Sequence, residues 1–194
     1  MTAEAAPQVA HYRLDPVAST FTVQAFAEGL FSVFGHDPIF RVKEFSGEAE
    51  FVPGTFENAS LRLVISTNSL SVTNVSKNDR QEIERTMRNE VLETSKYPEI
   101  IFESHDISLS RIGQDRYRAR VIGDLTLHGV TQKNLLVNGE VIASSEGELR
   151  AKGRCRIKQT DYKIKLVSVA GGSLKVKNEV KCSFDVRLLR LIGT

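Results

Sequence analysis

The feature that most constrains this chain is a strict two-residue alternation between Leu149 and Lys158. Small or apolar residues occupy every second position, namely Leu149, Ala151, Gly153, Cys155 and Ile157, and the positions between them hold Arg150, Lys152, Arg154, Arg156 and Lys158. Successive side chains of a β-strand point to opposite faces, whereas a helix repeats about every 3.6 residues. The segment therefore predicts a strand with one face on a core and a basic face in water.

Strand-like alternation recurs along most of the chain. It covers residues 20–27, 40–51, 61–65, 99–104, 106–109, 117–127, 133–143 and 180–188. Turn-forming residues separate these segments, among them Pro53-Gly54, Ile112–Asp115, His128–Thr131, Ser144–Gly147 and Gly171-Gly172. We interpret Gly47, inside the second segment, as the mark of a β-bulge. About eight strands spaced by turns indicate an all-β sandwich or barrel.

One segment has a helical period instead. Ile83, Met87 and Val91 are four residues apart and have charged residues between them, which predicts a single surface helix over about 79–92. Asn78 or Asp79 is the predicted N-cap, with Glu82 three residues after Asp79 as in a capping box. We expect this helix to cover one side or one end of the barrel.

Small residues are mixed with large ones on the predicted inner faces. Tyr117, Ala119, Val121, Gly123 and Leu125 share one such face, and the strand at 149–157 has a similar mixture. Small residues lining an eight-stranded barrel leave room for one small ligand. Glycines can instead relieve curvature where a barrel bends, and the pattern leaves both interpretations open.

Charge and hydropathy bound the setting of the protein. Residues 1–10 predict a disordered tail before one domain at 11–190, and no stretch approaches the ~18 apolar residues of a membrane span. The N-terminus lacks the features of a signal peptide, which predicts a cytoplasmic protein, or a periplasmic one if a signal peptide was removed. Residues 141–194 hold 12 Lys and Arg against 5 Asp and Glu. This basic quarter indicates a solvated sheet face or an interaction module for anionic surfaces.

The residues that could carry chemistry are few. His36 lies beside Asp37, and we weigh three roles for it: a loop histidine held by its partner, a contact to a ligand headgroup, or a metal ligand together with His105 or His128. Cys155 and Cys182 both fall on inner faces, where free cysteine behaves as a small hydrophobe; whether they pair stays open. No nucleophile elbow or phosphate loop is present. We predict no catalysis, no metal and no cofactor.

A Phe-rich segment stands out between two strands. It contains Leu30, Phe31, Val33 and Phe34 before Gly35, and Ile39 and Phe40 follow. Burying a Phe or Leu side chain gains about 1.5–3 kcal/mol, so several of them left exposed without use would be costly. The segment therefore either plugs the core or forms a mouth that grips a ligand.

Two ordered motifs resemble the YceI-like family, the lipocalin-like polyisoprenoid-binding proteins. They are Tyr97–Ser104 (YPEIIFES) and Gly123–Thr131 (GDLTLHGVT), and Tyr12–Ser19 and Phe45–Gly47 fit as well. The resemblance runs from about Tyr12 to Leu188. It departs at Phe31–Pro38, where many members have a basic or polar segment, and in the missing signal sequence.

The resemblance implies an eight-stranded antiparallel barrel with one α-helix and an apolar tunnel. It implies a non-catalytic carrier of a long apolar ligand, such as an isoprenoid, a quinone, a fatty acid or an amide. It also leaves open a homodimer. The basic quarter at 141–194 leaves open a transient membrane-surface contact, and we expect no nucleic-acid partner because the basic ladder Arg150–Lys158 lacks interleaved aromatics. The predicted ligand-binding residues are Phe21, Val23, Ala25, Leu30, Phe31, Phe34, His36, Phe40, Phe102, Tyr117, Val121, Leu125, Cys155, Tyr162 and Phe184.

Overall fold

The computed structural model describes residues 8–28, 37–53, 56, 58–144, 147–169 and 174–191. Its strands are β1 Ala10–Leu14, β2 Thr20–Gln24, β3 Ala27–Glu28, β4 Ile39–Val42, β5 Phe45–Phe51, β6 Ser60–Ser66, β7 Leu70–Val72, β8 Glu99–Gly113, β9 Arg116–Leu127, β10 Val130–Ala143, β11 Glu148–Lys158, β12 Ser168–Val169, β13 Leu174–Val176 and β14 Glu179–Arg190. Helix α1 spans Lys77–Thr86 and continues as a π-helical turn, Met87–Val91. In the described residues, no helix is long and apolar enough to span a membrane.

Eight strands close into an antiparallel barrel. They pair in the order β1, β5, β6, β8, β9, β10, β11 and β14. The ring closes where β14 returns to β1, with Arg13 opposite Leu189. Closure leaves these strands without a free edge for the length of their pairing. The predicted all-β, eight-stranded antiparallel barrel with one surface helix is confirmed.

Strand β14 pairs with β11 along one edge, and two strands share its other edge. Its last residues pair with β1, while its middle, from Lys181 to Asp185, pairs with β2. Strands β4 and β7 continue the sheet beyond β2. A small three-stranded sheet, β12-β13-β3, lies apart from this ring. The chain from Ala10 onward takes part, because Ala10 is buried in β1 and lies opposite Phe51. Ala10 therefore belongs to the barrel and not to the predicted disordered tail.

Gly47 does not mark a bulge. Strand β5 keeps an unbroken register on both sides, with Gly47 directly opposite Leu63. A Cβ atom on Gly47 would lie 3.3 Å from the carbonyl oxygen of Arg62 and 3.3 Å from the side chain of Leu14. The glycine therefore permits close packing inside a regular strand. The predicted strand at 40–51 is instead interrupted between Val42 and Phe45.

Helix α1 begins two residues before its predicted start. Ser76 is the N-cap, in an extended conformation, and its Oγ accepts a hydrogen bond from the backbone N–H of Asp79 at 3.2 Å. The Ser76 hydroxyl donates in turn to the Asp79 carboxylate at 2.6 Å. Asp79 thus occupies the third helical position of a capping arrangement, and the predicted cap at Asn78 or Asp79 is wrong.

Glu84 fastens α1 to strand β7. Its carboxylate accepts hydrogen bonds from the Ser71 hydroxyl at 2.8 Å, the Val72 backbone N–H at 3.1 Å and the Arg88 guanidinium at 3.0 Å. Burial alone would raise the pKa of Glu84, but these hydrogen bonds together lower it. The helix is thereby anchored to the sheet through a charge.

Replacing Glu84 with alanine is expected to lower the free energy of unfolding by about 1–3 kcal/mol, because hydrogen bonds to a charged group are lost. Since the pKa of Glu84 is lowered by folding, its contribution is complete above the ordinary value of 4.5 and disappears as the pH falls through the folded-state value. Urea unfolding of the unaltered protein and of the Glu84→Ala variant, at neutral and at acid pH, measures this loss of stability. Glu90→Gln is the control, since Glu90 is exposed and 4.0 Å from Arg85. Equal losses for both variants would refute the anchor.

Candidate ligand-binding cavity

A cavity of about 1160 Å³ lies inside the barrel. Every barrel strand contributes apolar side chains to its wall, represented by Leu14, Phe51, Leu63, Phe102, Val121, Val137, Ile157 and Val186. Sites for drug-sized ligands occupy about 300–1,000 Å³. The cavity is thus large enough, and apolar enough, for a long hydrophobic molecule.

Helix α1 and its π-helical continuation close part of the cavity. The apolar stripe Ile83, Met87 and Val91 that predicted the helix lines the wall. We did not predict these residues as ligand contacts, although their four-residue spacing showed which face the helix would bury. Polar side chains join the lining where α1 begins, namely Thr73, Asn74, Ser76, Asp79 and Glu82. The cavity therefore has a polar rim at this end.

Nine of the fifteen predicted ligand-binding residues line the cavity. They are Phe21, Val23, Ala25, Phe40, Phe102, Val121, Leu125, Cys155 and Phe184. Four others, Leu30, Phe31, Phe34 and His36, lie outside the described residues. Direct contact of the nine with a ligand stays a prediction.

Tyr117 and Tyr162 are not part of the lining that the described residues form. The ring of Tyr117 packs edge-on against Phe56, with ring centroids 5.1 Å apart. Tyr162 is only 2 % exposed, and its backbone carbonyl lies 3.1 Å from Nδ1 of His128. Burial raises the pKa of Tyr162 to about 12. Both tyrosines therefore pack in the protein rather than facing the cavity.

The flanks of the Phe-rich segment reach the cavity. Ala27, before the segment, and Pro38, after it, both belong to the lining. The Asp37 carboxylate accepts a hydrogen bond from the Ala27 N–H at 3.0 Å, which joins the two flanks. Asn74 holds the second flank by accepting from the Ile39 N–H at 2.8 Å. Whether the Phe-rich segment plugs the core or forms a mouth that grips a ligand depends on residues 29–36, which lie outside the described residues.

Two of the inner glycines leave no room for a ligand. A Cβ atom on Gly123 would lie 2.6 Å from the ring of Phe102, and one on Gly153 would lie 2.4 Å from the ring of Phe184. The same Cβ atoms would also lie close to a backbone carbonyl oxygen, 2.4 Å from that of Glu103 at Gly123 and 2.6 Å from that of Asn138 at Gly153. The rings of Phe102 and Phe184 fill the space beside Gly123 and Gly153. These two glycines therefore make room for the rings and not for a ligand.

Cys155 and Cys182 form a pair in the cavity wall. They are directly opposite each other in the β11–β14 ladder, and both line the cavity. Their side chains share a hydrogen bond, which lowers the pKa of Cys155. The same hydrogen bond, with burial, raises the pKa of Cys182. The alternation placed both cysteines inside, but it did not show that they are neighbours.

The described histidines have separate partners. His128 is 8 % exposed, and its Nε2 lies 2.6 Å from the carboxylate of Glu93. His105 is exposed, and its Nε2 lies 3.6 Å from Asp124. No group of three His, Cys, Asp or Glu side chains suited to a metal ion occurs among the described residues, which do not include His36. His128 lies buried in the β9–β10 turn, within the turn predicted at His128–Thr131.

The basic ladder of β11 faces outward and is partly neutralised. Arg150 and Lys152 both contact the carboxylate of Asp185 at 2.9 Å, and Arg156 lies 2.6 Å from Glu179. The hydrogen bond from Arg150 holds the pKa of Asp185 at about 2, so the carboxylate stays charged. Acidic residues on β14 thus offset the basic ones on β11, which favours a solvated face over an anion-binding one.

The fold has relatives among solved structures. A polyisoprenoid-binding domain from Saccharophagus degradans, implicated in plant cell wall breakdown, aligns with a TM-score of 0.65 at 18 % identity, over 93 % of this chain and 98 % of that one. BcnA of Burkholderia cenocepacia aligns with a TM-score of 0.62 at 17 % identity, over 90 % and 98 %. A YceI protein of Campylobacter jejuni gives 0.56 at 17 % identity, over 79 % and 85 %. These low identities show the fold alone.

Sequence comparison identifies the family. No curated protein matches the chain. The family model of the YceI-like domain matches residues 12–188, nearly the range over which the two motifs predicted a resemblance. With this match and a closed eight-stranded barrel around an apolar cavity, the chain belongs to the YceI-like family.

Proposed function

We propose that this protein is a non-catalytic carrier that binds a long apolar molecule inside its barrel. The ligand classes are an isoprenoid, a quinone, a fatty acid or an amide. The observation that carries the proposal is the continuous apolar cavity of about 1160 Å³. Transfer of apolar surface out of water supplies roughly 25 cal/mol per Å² buried, so a long chain gains affinity in proportion to its length.

The packing of the barrel supports a ligand. Protein interiors normally pack as densely as organic crystals, with few voids larger than a water molecule. A cavity of this size forgoes the dispersion contacts of such a core, and a bound chain restores them. The S. degradans relative is described as polyisoprenoid-binding, which agrees with this choice of ligand class.

The lining indicates a ligand with one polar end. The wall is mostly apolar, with one cluster of polar residues at the start of α1, including Asn74, Asp79 and Glu82, and separate polar residues on the strands, among them Glu50, Glu140 and Lys152. A charged or hydrogen-bonding headgroup is costly to bury without partners. We therefore propose that the headgroup contacts polar residues of the lining while the tail packs against its apolar residues.

Replacing Val121 with phenylalanine is expected to weaken binding of the fluorescent fatty acid cis-parinaric acid at least about tenfold, which is about 1.4 kcal/mol. Val121 lines the cavity, so the larger ring occupies ligand space. Ile122→Phe is the matched control, because the next residue of β9 faces outward, opposite the exposed Leu136. Fluorescence titration gives the dissociation constant, and thermal unfolding checks that both variants fold.

Two results would overturn the cavity as the binding site. One is equal affinity for the probe in the Val121 and Ile122 variants, both folded. The other is the absence of any saturable binding to the unaltered protein. Either result would leave the barrel without the function that its interior suggests.

Three further predictions from the sequence remain proposals. A transient contact with an anionic membrane surface would deliver or release the ligand, and it should weaken steeply with salt. Flotation with phosphatidylglycerol vesicles at low and high salt tests it. We also propose that the protein forms a homodimer, which sedimentation equilibrium tests. The third proposal is a cytoplasmic location, which cell fractionation tests.

A further inference from the structure

We propose that Cys155 and Cys182 form a dithiol that reduces a quinone held in the cavity and becomes a disulfide. This activity goes beyond passive carriage. It rests on the proposed binding of an apolar ligand, and it selects one class among the candidates.

The register of the strands places the two thiols within bonding reach. Cys155 and Cys182 are direct partners in an antiparallel ladder. Residues directly opposite in such a ladder have Cα atoms about 4.5–5.5 Å apart, and disulfides span about 4.4–6.8 Å. Both side chains lie on the inner face of the barrel, since both line the cavity. A disulfide can therefore form by side-chain rotation, without movement of the strands.

The two thiols face the space that the ligand would fill. Both line the cavity, and so do Val23, which is opposite Cys182 on β2, and Ile157. The surroundings are apolar, which keeps water-soluble oxidants away from the sulfur atoms. A reagent that enters the barrel as a ligand has access to both thiols.

The hydrogen bond makes the two thiols unequal. It lowers the pKa of Cys155, while the same bond and burial raise the pKa of Cys182. The thiolate is the nucleophilic form of cysteine. Cys155 is thus the attacking thiol, and Cys182 is the thiol that completes the disulfide.

Only one of the proposed ligand classes can oxidise a dithiol. Isoprenoid chains, fatty acids and amides do not accept two electrons under mild conditions, whereas a quinone does. The Cys155 sulfur adds to a ring carbon of the quinone. The Cys182 sulfur then attacks the Cys155 sulfur, so that the S–S bond forms as the C–S bond breaks. The quinone oxygens take up the two thiol protons, and hydroquinone leaves.

Anaerobic mixing of the reduced protein with decylubiquinone tests the reaction. The chain is reduced with dithiothreitol, desalted, and mixed with one equivalent of the quinone. Hydroquinone is measured by its ultraviolet spectrum, thiols by a thiol reagent after unfolding, and the disulfide by intact mass. Displacement of cis-parinaric acid by decylubiquinone measures binding separately. The variants are Cys155→Ser, Cys182→Ser and the double replacement.

We expect the unaltered protein to produce about one hydroquinone per chain and to lose both thiols. The double variant should still exchange cis-parinaric acid for decylubiquinone but reduce none of it, and neither single variant should release hydroquinone. Binding with both thiols intact would overturn the redox proposal and leave the carrier function standing. Binding of cis-parinaric acid but not of decylubiquinone would also overturn it. Failure of both probes to bind would refute the proposed function itself.

Discussion

Replacing Gly153 with alanine is expected to lower the free energy of unfolding by at least about 2 kcal/mol, in the upper range for overpacked cores. The new methyl group would lie 2.4 Å from the ring of Phe184 and 2.6 Å from the carbonyl oxygen of Asn138. The ring can shift, but the carbonyl belongs to the neighbouring strand and cannot. Urea unfolding, with the slope of the transition checked for constancy, measures the loss.

Two comparisons separate this effect from a general intolerance of alanine. Gly113→Ala should leave stability unchanged or slightly raised, because its new Cβ would meet nothing closer than 3.7 Å. Adding Phe184→Leu to Gly153→Ala should recover part of the loss, since the ring contact disappears while the carbonyl contact remains. A Gly153→Ala protein as stable as the Gly113→Ala protein would contradict the ring-on-glycine packing.

Replacing His128 with alanine is expected to lower the free energy of unfolding by about 2–4 kcal/mol, because a buried polar network loses its centre. The ring of His128 bridges the carbonyl of Tyr162 at 3.1 Å and the carboxylate of Glu93 at 2.6 Å. Its backbone φ of +52° adds to the cost, since alanine rarely adopts this region. The His128→Asn variant should lose less stability than His128→Ala, because asparagine tolerates such a φ and retains a hydrogen-bond donor.

His105→Ala provides the matched control. His105 is exposed and lies 3.6 Å from Asp124, so its removal should change stability by no more than about 0.5 kcal/mol. His128 does not belong to the cavity lining formed by the described residues, and the affinity for cis-parinaric acid should therefore stay unchanged in both variants. Equal stability of the two variants would show that His128 holds nothing together.

The two family motifs were informative because they pack on each other. Strand β8 pairs with β9 so that Phe102, from the first motif, is opposite Leu125, from the second. The ring of Tyr97 lies 4.4 Å from that of His128, and Gly129, with φ of +71°, leaves space for Tyr97. The alternation predicted the strands. The two motifs indicated the family, and their residues contact each other in one region of the barrel.

Features that depend on cross-strand register could not be predicted from the sequence. The alternation placed Cys155 and Cys182 inside the barrel, but their pairing follows from how β11 aligns with β14. Gly153 had no visible partner in its own strand, yet Phe184 opposite it fills the space. The alternation within one strand shows which face each side chain points to. It does not show which residue of the neighbouring strand lies opposite.

Local competition explains the remaining errors. Ser76 displaced the predicted helix cap because its extended backbone lets the hydroxyl reach the Asp79 N–H. Tyr117 follows the inward phase of β9, but Phe56, from the β5–β6 connection, packs against its ring. In both cases a contact with a neighbouring residue, which the period of the segment does not show, determines where the side chain lies.

Mass spectrometry of an organic extract from protein purified without added lipid tests the carrier function most directly. We expect one long-chain apolar compound at close to one equivalent per chain, and much less of it from the folded Val121→Phe protein. An extract free of any such compound, together with no saturable binding of cis-parinaric acid or of a long-chain quinone, would contradict it.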